Sequence, residues 1–232
     1  MSTQQRIAVV TGAGSGVGAA TATHLIASGW RVFGLDRSFG AAESSDGAMR
    51  IHCDVSSSVS VAEAFARIAA EAPRIDALIC SAGVIRTGTL ESISETDFDT
   101  VFAVNVRGGW LSAKAALPLL GNAEGRSLAP RIVFMSSIAA IRPKLAGGVY
   151  AASKAALSTL ARVLAVEVAQ RGILVNAVAP GTVDTPFVKG ASTTGDVVGL
   201  IDFLLGPASS YISGAVIPLD GGTTAAFVPP KG

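Results

Sequence analysis

Cysteine and histidine are scarce in this chain, with two of each among 232 residues. Cys53 and Cys80 lie in apolar segments and read as small buried hydrophobes, too few for a disulfide scaffold. His24 and His52 stand apart from them without metal-ligand spacing, so no metal site is expected. Charge is sparse as well. Only 15% of the residues are Asp, Glu, Lys or Arg, the formal net charge is +1, and no basic run is present. That removes the electrostatic grounds for a nucleic-acid partner. No apolar run is long enough to cross a bilayer without interruption by charge, proline or glycine, so no membrane partner is expected. The polar residues 1–6 lack the apolar segment of a signal peptide, and the expectation is a soluble, cytoplasmic protein.

What is abundant is apolar residues, at 50%, and glycine, at 26 positions. That composition excludes a disordered chain and suits a sheet buried on both faces, in a single domain over residues 1–232. β-branched runs alternate with Ala-rich helical patterns. Strands are predicted at residues 7–11, 31–35, 49–53, 77–81, 131–136, 174–179 and 215–218. Helices are predicted at 17–28, 57–72, 94–120, 150–170 and 196–205, the third opened by Ser94 as N-cap. Strand-helix alternation of this kind implies crossover connections and parallel pairing. The fold class is therefore α/β, a three-layer α/β/α sandwich around a Rossmann-like, doubly wound sheet of seven mostly parallel strands.

The glycines concentrate in Thr11-Gly12-Ala13-Gly14-Ser15-Gly16-Val17-Gly18, between the first strand and the first helix. Glycine there lets the chain turn and lets a pyrophosphate reach the unpaired N–H groups of a helix N-terminus. A glycine triplet alone is weak, because tight turns use glycine too. Here it follows a strand, precedes a helix and is followed eighteen residues after Gly18 by an acid, Asp36, at the end of the second strand. Such a carboxylate accepts hydrogen bonds from the adenosine ribose and repels a 2′-phosphate, which favours NAD(H) over NADP(H). Arg37 is the competing signal, since a guanidinium could pair with that phosphate. Asp54 has two readings, a contact to the adenine amine or a loop carboxylate ahead of the following serines.

Tyrosine is rare, and of Tyr150 and Tyr211 only the first has a lysine one helical turn later, Lys154. Residues four apart share a helix face. Ser137 ends the strand thirteen residues earlier, at the sheet edge where open α/β folds bind ligands. Reduction of a ketone needs a hydride on carbon and a proton on oxygen. A phenol of pKa about 10 is a poor base near neutrality unless a cation lowers it. The reading is that Lys154 lowers the Tyr150 pKa and holds the nicotinamide ribose, that Ser137 hydrogen-bonds the substrate oxygen, and that Asn105 holds a water linking Lys154 to solvent.

These residues resemble the short-chain dehydrogenase/reductase superfamily, from residue 6 to about residue 224. Gly12, Gly16 and Gly18 fit TGxxxGxG, with Ser15 and Val17 in the same turn. Tyr150-Ala151-Ala152-Ser153-Lys154 fits YxxxK, and Asn105, Ser137, Tyr150 and Lys154 match the family tetrad. The resemblance implies NAD(H) as cofactor. It adds cofactor contacts at Val55, Ala82, Gly83, Pro180, Gly181, Val183 and Thr185, beside those read above at Asp36, Arg37, Asp54, Tyr150 and Lys154. It also implies an alcohol or ketone substrate and a homotetramer or homodimer. Two departures stand out. Cys80-Ser81-Ala82-Gly83 replaces Asn-Asn-Ala-Gly, and only residues 187–195 separate Thr185-Pro186 from the last helix, a shortened substrate lid. Two alternatives stay open: an NADP(H)-dependent carbonyl reductase, and a dinucleotide-binding protein without catalysis.

Overall fold

The structure, a computed structural model, describes residues 5–40, 43–45, 48–181 and 192–225. The β-branched runs become β1 (Ile7–Thr11), β2 (Arg31–Asp36), β4 (Ala48–His52), β5 (Ala77–Cys80), β6 (Arg131–Met135), β7 (Leu174–Pro180) and β8 (Val216–Leu219). These seven pair in parallel, in the order β4-β2-β1-β5-β6-β7-β8. A three-residue strand, β3 (Glu43–Ser45), adds antiparallel to the outer edge of β4. It was not foreseen, because three residues are too few to show a period.

The helices are α1 (Gly16–Ala27), α2 (Ser58–Glu71), α3 (Glu95–Phe102), α4 (Gly109–Leu120), α5 (Gly148–Glu167) and α6 (Thr194–Leu205). Strand residues alternate between two cores, as the period of two requires. Val9, Phe33, Leu78 and Phe134 face α2, α4 and α5, while Ala8, Val10, Val32 and Ile79 face α1 and α6. The predicted long helix over 94–120 has the expected cap, since the Ser94 hydroxyl accepts from the Asp97 N–H at 3.0 Å. Between α3 and α4, however, Ala103–Gly108 winds as a π-helix. A wider turn inside a long helix is a feature that apolar periodicity does not register.

After β1 the chain winds outward to β2 and β4, then returns across β1 to β5 and onward to β8. The reversal opens a crevice between β1 and β5 at the carboxyl ends of the strands. The opposite edge of the sheet collects the C-terminal ends of helices, where carbonyls lack intrahelical partners. Arginines answer them. Arg131, 1% exposed, donates to the Leu204 and Gly206 carbonyls at 3.1 Å each, and Arg6 donates to the Leu205 carbonyl at 2.6 Å. At the end of α4, Arg171 and Arg126 donate to the carbonyls of Leu117, Leu120 and Gly121.

Burial pushes the Arg131 pKa down, yet its charge is matched to the negative end of α6. Arg131→Leu removes both bonds and leaves the Leu204 and Gly206 carbonyls to share the Ser209 hydroxyl. The expected loss is about 2 kcal/mol of stability, read as a lower urea midpoint with an unchanged slope.

Candidate functional site

The crevice has a volume of ≈ 770 Å³ and runs from the β1–α1 turn to the first turns of α5. Gly12, Ser15, Gly16, Val17, Asp36, Arg37, Asp54, Val55, Ala82, Gly83, Tyr150, Lys154, Pro180 and Gly181 all line it, as does Ser137. Gly18 and Asn105 stand behind the wall and support it. Val183 and Thr185 lie outside the described residues, as do residues 187–191 of the expected short lid. The described part, from residue 192 on, includes Thr193, which forms a reciprocal cap with Asp196 at the start of α6.

Backbone contact explains the glycines. Gly12 has φ of 72°, and a Cβ there would sit 2.8 Å from backbone atoms of Ala82. A Cβ on Gly18 would lie 2.1 Å from the Gly12 carbonyl oxygen, so the turn can close only without side chains. Ser15 occupies the N-cap of α1 but makes no side-chain cap bond, and the first turn of the helix holds no acid. Its N–H donors therefore face the crevice with the positive end of the helix dipole.

Asp36 closes this turn from the side. One carboxylate oxygen accepts from the Gly14 N–H at 2.9 Å, and the other accepts from the Ser38 N–H and hydroxyl at 2.9 and 2.7 Å. Burial raises its pKa, but those hydrogen bonds and the Arg37 charge outweigh burial and hold it below the usual carboxylate value. Asp36 is thus an anion fixed in place before any ligand arrives. Asp54 accepts from the Ser56 N–H and hydroxyl at 2.9 and 2.7 Å, the pattern of a loop carboxylate, while still lining the crevice. The amide lost at Ser81 is covered locally, because the Ala82 N–H donates to the Thr11 hydroxyl at 3.2 Å.

At the other end, the first two turns of α5 are fastened to the sheet and to the π-helical turn. The Tyr150 carbonyl accepts from the Ser153 hydroxyl at 2.7 Å, and Ser153 in turn accepts from the Asn105 amide at 3.0 Å. Asn105 also accepts from the Val84 N–H and donates to the Val84 carbonyl, at 2.8 and 2.9 Å. Both of its polar atoms are bonded to protein groups. Its Oδ1 and the Lys154 ammonium both crowd Gly83, where a Cβ would be 3.3 Å from each. The Lys154 carbonyl accepts from Ser136 at 3.1 Å and from Ser158 at 2.9 Å. Sequence reasoning missed Ser136, Ser153, Ser158 and Thr11. An isolated serine or threonine carries no periodicity, and the main-chain partners of Ser136 and Thr11 are far away in sequence.

Lys154 is 4% exposed and donates to the Met135 carbonyl at 2.7 Å. Burial pushes its pKa down to about 8, with Cys80 acting the other way. Its Nζ lies 5.7 Å from the centroid of the Tyr150 ring. Tyr150 is half-buried, and burial raises its pKa while a hydrogen bond with Ser137 acts in the opposite direction. This corrects the expectation that Lys154 depresses the phenol. Among the protein's own groups desolvation is the larger effect, and Lys154 bonds instead to Met135. Cys53 also lines the crevice, but burial lifts its thiol to about 11, which leaves it no nucleophile. Among the described residues no cluster of histidine, cysteine and acidic side chains has the makings of a metal site.

A family model described as short chain dehydrogenase matches residues 6–195. The 2-(R)-hydroxypropyl-CoM dehydrogenase of Xanthobacter autotrophicus is 33% identical, over 95% of this chain and 99% of that protein. The 2,3-dihydro-2,3-dihydroxybenzoate dehydrogenase of Escherichia coli is 38% identical, over 76% of this chain and 68% of its own length. Among solved structures, the 3-ketoacyl-(acyl-carrier-protein) reductase of Brucella melitensis complexed with NADH superposes with a TM-score of 0.86 at 26% identity. That likeness covers 94% of this chain and 98% of the other.

Proposed function

This chain belongs to the short-chain dehydrogenase family, whose members are NAD- or NADP-dependent oxidoreductases, and from that premise we propose that it interconverts a secondary alcohol and a ketone with NAD(H). The observation that carries the reading is the convergence of Ser137, Tyr150 and Lys154 on one end of a crevice whose other end presents free helix N–H groups and Asp36. The dinucleotide, when bound, supplies the hydride acceptor or donor, and its oxidised ring carries a positive charge. The residues do the rest. The donors of the β1–α1 turn hold the pyrophosphate, and Asp36 receives the adenosine ribose. Lys154 orders the second ribose from a position set by two serine hydroxyls on its carbonyl.

Ser137 donates to the substrate oxygen, and Tyr150 exchanges the proton that accompanies hydride transfer. A phenol raised by burial is a ready acid for ketone reduction. For alcohol oxidation it must first lose its proton, which a nearby positive charge favours. The names of the relatives, one a hydroxypropyl dehydrogenase and another a ketoacyl reductase, support CH–OH chemistry in either direction. Asp36 supports NAD over NADP, because a 2′-phosphate would meet a carboxylate already committed to its anionic form.

Three measurements follow. Tyr150→Phe should lower kcat by about 10²- to 10⁴-fold with little change in the NADH Kd by fluorescence, and retention of more than a tenth of kcat would refute the proton role. Steady-state kinetics should give NADH roughly tenfold or more the kcat/KM of NADPH, and the reverse order would overturn the cofactor assignment. In a pH profile of ketone reduction, Lys154 is charged below its pKa of about 8 and neutral above it, so kcat/KM should hold below that pH and decline above it. Lys154→Arg should carry the plateau to higher pH, and an unmoved decline would remove Lys154 from the explanation.

A further inference from the structure

Eleven large apolar side chains are exposed among the described residues, and four of them, Ile85, Leu90, Ile141 and Leu145, at 57%, 75%, 49% and 95%, lie near one another. All four fall on two loops, residues 84–92 after β5 and residues 141–147 before α5. The loops are joined to each other, because the Gly88 N–H donates to the Ala146 carbonyl at 2.8 Å. Leu90 then rests on the start of α5, two residues from Tyr150, where a Cβ on Gly148 would lie 2.9 Å from its Cδ2.

Ala146 holds this joint with φ of 58°, and among the described residues it is the one non-glycine with a left-handed backbone. Such a conformation persists only where surrounding contacts impose it. The apolar surface is continuous with the proposed reaction site, since Ile85 and Val84 line the crevice beside Ser137 and Tyr150. Two arginines on these loops are engaged elsewhere, while Glu91 and Lys144 are exposed on the same loops. Arg86 pairs with Asp97 at 3.1 Å, and Arg142 donates to the Thr223 carbonyl at 2.7 Å.

We infer that this rim receives the apolar tail of the substrate, so that the enzyme selects ketones and alcohols carrying an extended alkyl or aryl group over small ones. The inference rests on the alcohol–ketone reading above. It commits to the substrate as the occupant because the patch begins at the wall of the crevice and leads outward from the tyrosine. Burial of each methylene against such a surface strengthens binding by about fourfold.

The test is a series from 2-butanone to 2-octanone, reduced with the preferred cofactor. The kcat/KM should rise by roughly threefold to fourfold per methylene over at least three additions. Leu90→Ser and Leu145→Ser alter side chains that stand in solvent, so folding is not at stake. Each should cut kcat/KM for 2-octanone by about tenfold and for 2-butanone far less. In parallel, calorimetry with n-alkanamides, carbonyl compounds that are not reduced, should show Kd falling with chain length and the same two variants blunting the trend. A flat series in both assays, or a slope that the variants do not change, overturns the inference. A sloped Kd series without turnover of any ketone supports the rim and overturns the catalytic reading instead.

Discussion

The site depends on how one helix is fastened to one strand. α5 carries Tyr150 and Lys154, and neither side chain could hold its place if the helix slid or rotated against β6. Buried polar contacts from outside the helix prevent that: Ser136, just after β6, donates to the Lys154 carbonyl and is bonded to the Ser158 hydroxyl, and the Asn105 amide donates to the Ser153 hydroxyl. The Asn105 amide extends the fastening to the loop after β5 through both main-chain groups of Val84. Polar groups buried in this way favour one register strongly, because a slip would leave several donors and acceptors without partners.

The same fastening sets the electrostatics. Lys154 is buried because its helix is drawn against the sheet, and burial lowers its pKa toward neutrality. Tyr150, one turn earlier and less buried, is raised. Desolvation thus drives the two groups apart in proton affinity, because it acts in opposite directions on an acid that is neutral when protonated and on one that is charged. No direct bond between them is needed for that effect.

Much of this was legible in the sequence, for identifiable reasons. The parallel strands were readable because strands buried on both faces need unbroken apolar runs, and the glycine turn because its geometry admits few residue types. Ser94 announced its cap through Asp97 three residues on. The alignment of Ser137, Tyr150 and Lys154 followed from strand end and helix periodicity. What escaped was non-local or aperiodic: β3, the π-helical turn around Asn105, and the bond from Ser136 to the distant Lys154 carbonyl. The partner of Lys154 escaped as well. A sequence shows that a cation and a phenol share a face, but the Met135 carbonyl that takes the ammonium bond belongs to another strand.

Helix starts differ across the molecule in a telling way. Ser57, Ser94 and Thr193 cap α2, α3 and α6 with their side chains, whereas α1, whose first residues line the crevice, has no such cap. A missing cap costs a helix on the order of 1 kcal/mol. The deficit sits where an anionic visitor would supply the absent acceptors, so folding and occupancy become linked equilibria. A dinucleotide bound there would stabilise the folded chain by mass action, in proportion to the logarithm of its concentration over Kd.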